Sequence, residues 1–241
     1  MRLGYREGVK AEPEASLEQR IARAEEALAA VLGEARAERH GAAQQLGHDA
    51  AASLGLAQAQ LVYGELDVRS VARILEAADT VAGDRFLDIG SGDGIPTLAA
   101  ALLFPRELRV CRGIEVVPAL AERAMDHAER LRTRLQEHPN HFAAPIELTE
   151  GDIYAGNATT KAALGETTLA LCFATTWSRS PRRTLPQLSA TLEAMPFGAR
   201  VVVVDARLEG TGWRWEGDLK ITPPDTAPYS IARMYTHVAQ R

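Results

Sequence analysis

The sequence predicts an α/β fold: a doubly wound, mostly parallel seven-stranded sheet, preceded by an N-terminal helical segment over residues 1–55. Three observations predict it. From Asp84 to Ala206, short apolar runs alternate with helical patterns, and that alternation favours parallel strands joined by helical crossovers. A glycine cluster follows the first of those strands and opens a helix. Two later strand-like runs have no helix between them, which suits an antiparallel hairpin at a sheet edge.

Residues 1–15 are polar, contain Pro13 and read as a loosely docked lead-in. Ser16-Leu-Glu-Gln19 is a capping-box pattern. Ile21, Leu28, Val31 and Leu32 then share a helical face too short for a sustained heptad seam, so this helix covers one side of the core. An Ala-rich helix follows, roughly from Glu34 to Leu54. The main domain spans 56–241. Val68, Val71, Ala72, Ile74 and Leu75 mark its first helix. Strands are expected over Asp84–Gly90, Leu108–Glu115, Ile146–Ile153 with its loop, Thr168–Ala174 and Ala199–Ala206. Helices are expected over Ile95–Leu103, Pro118–Leu135 (proline in the first turn) and Pro186–Met195. The hairpin strands are Trp213–Ile221 and Ile231–Val238.

With 27 Lys+Arg against 32 Asp+Glu, the formal charge is −5, so no strong nucleic-acid binding is expected of the whole protein. No uninterrupted apolar run reaches membrane-spanning length, and the N-terminus lacks a secretory pattern; a cytoplasmic or nuclear protein with no membrane partner is expected. Cys111 and Cys172 lie in apolar strand-like stretches and read as reduced core thiols. The histidines show no ligand spacing, and no metal site is expected.

The chemistry starts at Phe86-Leu-Asp-Ile-Gly-Ser-Gly-Asp-Gly94. Gly90, Gly92 and Gly94 sit between a strand and a helix, where backbone approaches a ligand closely. Asp88 occupies the strand end. A carboxylate there suits the cationic methionine end of S-adenosylmethionine and would repel a pyrophosphate. Glu115 ends the next strand, where an acid accepts from ribose hydroxyls. In Gly151-Asp152-Ile153, Asp152 can receive an adenine amino group and Ile153 can pack on the ring. Each acid has a plainer reading: Asp88 as a helix cap, Glu115 as a surface acid, Asp152 as an Asx-turn residue. Their shared position at consecutive strand ends, where open α/β sheets bind ligands, favours the cofactor reading.

The order of motifs resembles the class I, Rossmann-like methyltransferases, and more closely the disruptor-of-telomeric-silencing family of non-SET histone-lysine methyltransferases. The residues that carry it are Val62-Tyr-Gly-Glu65, Phe86-Leu-Asp-Ile-Gly-Ser-Gly92, Gly113-Ile-Glu115, Gly151-Asp152 and Phe173-Ala-Thr-Thr-Trp-Ser-Arg-Ser-Pro181. The resemblance covers about residues 61–238. It implies methyl transfer from S-adenosylmethionine to a lysine of a protein substrate, leaving S-adenosylhomocysteine. Cofactor-binding residues by resemblance are Tyr63, Glu65, Asp88, Gly90, Ser91, Gly92, Asp93, Glu115, Val116, Asp152, Ile153 and Thr175. Tyr63, Thr175, Thr176 and Trp177 would surround the transferred methyl. The family usually has asparagines and phenylalanines where this chain has Thr175-Thr-Trp-Ser178, a hydroxyl residue at Leu66 and a glutamine at Ile95. It often carries a basic DNA-gripping segment, which this chain lacks. A small-molecule methyltransferase and a non-catalytic cofactor-binding scaffold are the alternatives. Trp177, Tyr63 and Phe173 are candidates for an aromatic channel wall, although Phe173 also suits the core. Arg179, Arg182 and Arg183 form a small basic patch. Trp213 and Trp215 would shape a groove or pack one-sidedly.

Overall fold

A computed structural model describes residues 15–33, 35–56, 61, 63–138, 142–178, 180–224 and 229–239. The lead-in up to Glu14, Val62, His141 and Arg179 lie outside the described residues. Among these residues seven strands make one sheet: β1 (Asp84–Ile89), β2 (Leu108–Glu115), β3 (Ile146–Glu150), β4 (Leu169–Phe173), β5 (Arg200–Val204), β6 (Trp213–Ile221) and β7 (Ser230–His237). Their spatial order is β3-β2-β1-β4-β5-β7-β6. The first five run parallel, and β7 pairs antiparallel with both β5 and β6. The order reverses between β1 and β4, and an open sheet of this kind leaves a ligand crevice at the carboxyl ends of those strands.

The helices are α1 (Leu17–Leu32), α2 (Arg36–Ala50), α3 (Val68–Ala77), α4 (Ile95–Leu103), α5 (Pro118–Glu137), α6 (Ala158–Glu166) and α7 (Pro186–Leu192). The capping box at α1 forms: Ser16 Oγ accepts from the Gln19 amide at 3.3 Å, and Gln19 Oε1 accepts from the Ser16 amide at 2.9 Å. Ile21, Ala24, Leu28 and Val31 recur at helical spacing and are buried in the principal core. As expected, α1 covers one side of the sheet; it packs on α3, α4 and α5. Helix α2 is shorter than the sequence suggests and mostly polar, with only Arg39, Ala43 and Gly47 buried on its inner face.

Period-two alternation sorts the strand residues between two layers. Phe86, Leu169, Leu171, Val202 and Val204 join α1, α3 and α4 on one face. Leu87, Ile89, Ala170, Cys172, Val201 and Val203 meet Leu164 of α6 and Leu188 and Leu192 of α7 on the other. Cys111 and Cys172 are free and buried. Helix α6 is absent from the sequence expectation. Only Thr160 and Leu164 are buried along it, so it lacks the apolar stripe that periodicity detects. Its one local signal is Asn157, whose side chain accepts from the Thr160 amide at 2.9 Å. The hairpin strands form as expected. No helix among the described residues is long and apolar enough to cross a membrane.

Candidate active site

The glycine loop leaves β1 and folds back under β2. The amides of Gly90 and Ser91 both donate to the Ile114 carbonyl, at 2.9 and 3.1 Å. Gly90 and Gly92 have φ of 72° and 55°, the left-handed region that glycine enters without a Cβ clash. Space imposes a second demand there. A Cβ on Gly90 would lie 2.7 Å from Trp177 Cζ2, and one on Gly92 would lie 2.8 Å from Tyr63 Cε2. The loop is therefore bracketed by two aromatic rings, one from the segment before α3 and one from the turn after β4. Phe173 completes the wall by packing against Gly64, where a Cβ would lie 2.6 Å from its ring.

Asp88 falls on the β1 face that alternation assigns to the core. It is 3% exposed, and its Oδ2 accepts from the Thr97 hydroxyl at 2.9 Å. Burial pushes its carboxyl up to about 7, with the Thr97 bond opposing and Glu115 adding to the rise. The helix-cap reading is thus partly true, since Thr97 stands in the first turn of α4. Glu115 is also buried, and burial raises its pKa against backbone amides, those of Val117 and Gly92 foremost, that lower it. Its Oε2 accepts from the Gly92 amide and its Oε1 from the Val117 amide, both at 2.8 Å. Glu115 is therefore not a surface acid. It ties the glycine loop to the end of β2, and each carboxylate oxygen keeps a second lone pair. Asp152 is exposed, and its Oδ1 accepts from the Tyr154 amide at 2.8 Å, the Asx-turn geometry. Ile153 is buried beside it, and Val116 is half-buried against the cluster that includes Tyr63. Ser91 is buried, and its side chain closes on Gly113, where a Cβ would lie 2.9 Å from Ser91 Oγ.

Asp93 and Glu65 sit in a buried charge cluster that includes residues absent from the sequence expectation. The Tyr63 hydroxyl donates to Asp93 Oδ1. Arg39 of α2 donates from Nη2 to Glu65 Oε1 at 2.9 Å and holds Nε 3.7 Å from Asp93 Oδ2. Arg36 Nε reaches the same Glu65 oxygen at 3.1 Å. Gln44 of α2 accepts from the Tyr63 amide at 2.8 Å. Burial, then Asp93 and Glu65, raise the Tyr63 phenol well above its ordinary range. Tyr63 stays protonated at physiological pH and acts as a donor, so it is no general base. On the other wall, Thr175 Oγ1 donates to Asp205 Oδ2 at 3.0 Å. Asp205, with φ 61°, also accepts from Ser230 Oγ at 2.8 Å and from the Ile231 amide at 2.9 Å. A non-glycine residue in that conformation costs about 1–3 kcal/mol and persists where its surroundings hold it. Thr176 is half-buried in the same turn.

The structure separates the two tryptophans of β6. Trp213 is buried and donates from Nε1 to the Ser189 carbonyl at 3.1 Å; Trp215 is 60% exposed. Arg182 and Arg183 are solvent-exposed.

A crevice at a sheet reversal, floored by a glycine loop that tolerates no Cβ and carrying acids at three successive strand ends, fits S-adenosylmethionine. Residues 56–204 match the family of the histone methylation protein DOT1. No curated protein matches. Among solved structures the fold is similar to the rRNA methyltransferase aviRa from Streptomyces viridochromogenes (TM-score 0.51, 19% identity, 72% of this chain and 86% of that one). It is also similar to TrmN from Thermus thermophilus (TM-score 0.50, 15% identity, 75% of this chain and 52% of that one). An RNA methyltransferase from Salinibacter ruber in complex with S-adenosyl-L-homocysteine has a TM-score of 0.46 at 22% identity, over 72% of this chain and 93% of that one.

Proposed function

The chain belongs to the DOT1 histone methylation family, a family of S-adenosylmethionine-dependent methyltransferases, and from that premise we propose that its acceptor is a lysine side chain of a protein. The single observation that carries this reading is the aromatic wall. Tyr63, from the segment before α3, and Phe173 and Trp177, from the end of β4 and the turn after it, close on Gly92, Gly64 and Gly90. A lysine amine attacks only when neutral, and its free pKa is about 10.4. An aromatic, desolvated channel favours the neutral amine over the ammonium.

When bound, S-adenosylmethionine supplies an electrophilic methyl on a sulfonium sulfur. Asp88 would hold the cationic methionine end, Glu115 the ribose edge through its remaining lone pairs, and Asp152 with Ile153 the adenine. Glu65 and Asp93, fixed by Arg39, hold Tyr63 over the loop. Thr175, fixed by Asp205, would orient the incoming amine. Lysine Nζ would take the methyl as the S–C bond breaks, and the extra proton on nitrogen would leave to water. The protein's part is alignment and exclusion of water rather than proton abstraction. With more acids than bases and no basic segment, the acceptor is proposed to be a protein other than the nucleosome.

The test is incubation with methyl-labelled S-adenosylmethionine and four acceptor pools: cell protein, nucleosomes with free histones, RNA, and small metabolites. Label on lysine of a protein band is expected. Label confined to RNA or metabolites refutes the acceptor assignment and leaves methyl transfer standing.

A further inference from the structure

A groove of about 510 Å³ opens on the outer part of the sheet, away from the glycine loop. Trp213, Trp215 and Tyr235 line it together with Arg207, Arg233 and Asp218. We propose that this groove binds an acidic, extended segment of the protein substrate and places the target lysine at the Thr175 wall. The proposal rests on the lysine-methyltransferase reading of the site and adds the sequence class it selects.

Charge points to an anion. Two guanidinium groups face one carboxylate, and that carboxylate is already engaged. Asp218 Oδ1 accepts from Trp215 Nε1 at 2.9 Å, and its Oδ2 lies 4.0 Å from Arg233 Nε. Among the described residues Arg233 Nε is buried and has no hydrogen-bond partner, a donor whose burial costs stability until an acceptor arrives. Arg207 is exposed at the rim. Trp215, locked by Asp218 and 60% exposed, offers an apolar face beside the cations, an arrangement suited to an acidic residue with an apolar neighbour.

Connectivity points to the reaction. Asp205 binds Thr175 through its side chain and Ile231 through its backbone. Arg207 follows Asp205 by two positions. Arg233, two past Ile231 on antiparallel β7, runs the other way to oppose Val203 and turns its guanidinium back to the Ala206 carbonyl, which accepts from Nη1 at 3.3 Å. Two extended residues span roughly 6.6 Å. A carboxylate held between the arginines therefore lies about two to four residues of extended peptide from a lysine at Thr175. Among the described residues the outer edge of β6 has no neighbour in the sheet, and such an edge pairs with an extended segment. A polynucleotide fits less well, because the groove offers two guanidinium groups beside Asp218 rather than a continuous basic track, and Arg214 on the same strand is already paired with Glu216.

Two measurements on the full chain test this. The first follows methyl incorporation into synthetic lysine peptides with one acidic residue stepped through positions one to six on either side. An acidic residue two to four positions away should raise kcat/KM about tenfold over the neutral peptide, the effect of one charge-assisted pair. Arg207→Glu should remove that preference and favour a basic flank while S-adenosylmethionine affinity stays unchanged. A flat acidic profile, or one that Arg207→Glu leaves intact, overturns the proposal. The second titrates tryptophan fluorescence with an acidic peptide whose lysine is replaced by norleucine, and with oligouridylate. Peptide binding without methylation of any peptide means the lysine reading fails and the groove stands. A response to oligouridylate alone overturns the acidic-peptide proposal.

Discussion

Asp88→Asn should make the unliganded protein more stable and abolish its cofactor binding. Asp88 is buried, and its carboxyl is pushed up from 3.8 to about 7. A shift of that size corresponds to roughly 4 kcal/mol against the folded state once the group is ionised. The sign follows from proton counting. Between about 4 and 7 the folded chain holds a proton that the unfolded chain has lost, so stability falls as pH rises through this window. Above about 7 the cost is constant, and below about 4 it vanishes. Asparagine keeps an oxygen for the Thr97 hydroxyl, which donates to Asp88 at 2.9 Å. Its buried amide costs about 1–2 kcal/mol, which leaves a net gain of about 2–3 kcal/mol at pH 8. For a chain this long that is roughly 4–12 °C in Tm. Thermal unfolding at pH 8 and pH 5 should show a large gap between variant and parent at pH 8 and little or none at pH 5. Calorimetry at pH 8 should show S-adenosylmethionine binding lost in the variant. A variant that is less stable at pH 8 would mean the carboxylate is first a helix cap. Unchanged cofactor binding would remove Asp88 from the site.

In the parent protein the same titration should weaken S-adenosylmethionine binding up to about tenfold per pH unit below 7, with a plateau above, as calorimetry at pH 5.5 to 8.5 would read. Gly90→Ala places a methyl where Trp177 Cζ2 stands 2.7 Å away and demands φ 72° of an L-residue; we expect cofactor affinity to fall at least tenfold, and unchanged affinity would show that ring to be loosely held. Arg39→Ala removes the cation that Glu65 and Asp93 share and leaves Glu65 to Arg36 and Asp93 to Tyr63 and the more distant Arg123. Urea unfolding should show a loss of about 3 kcal/mol, the lower end for a broken buried pair. Thr175→Val removes the hydroxyl from Asp205 and should lower kcat with little change in cofactor affinity, as steady-state methyl transfer would measure.

The parallel core was legible because its strands are short apolar runs that end in glycine or acid, and its helices carry apolar stripes. Helix α6 was not legible, because a helix that buries only Thr160 and Leu164 leaves no periodic trace. In the site, Gly90, Gly92, Asp88 and Glu115 stood out by spacing from the first strand. Their bonding did not. Nothing local in Glu115 says that both oxygens take backbone amides, since one donor is 23 residues away. Arg39, Gln44 and Asp205 escaped detection for the same reason. Arg39 and Gln44 belong to a helix whose pattern reads only as polar, and Asp205 follows a valine run with no motif around it. Their roles come from pairing across 19 to 30 residues of chain, which single-sequence periodicity does not encode.

That pairing changes how the N-terminal segment is understood. The family match begins at residue 56, and the sequence places a boundary near the same point. The contacts cross it. Tyr63 takes its amide partner from Gln44, and Asp93 faces Arg39; both partners lie on α2. Helix α1 contributes Ile21, Ala24 and Leu28 to the same core as Phe86 and Leu98. A chain beginning at 56 would expose that core face and strand two buried carboxylates beside the glycine loop. The ring that closes over Gly92 is therefore held by the N-terminal helices as much as by the sheet. A substitution on α2 far from the crevice should consequently read out as weakened cofactor binding, through Tyr63.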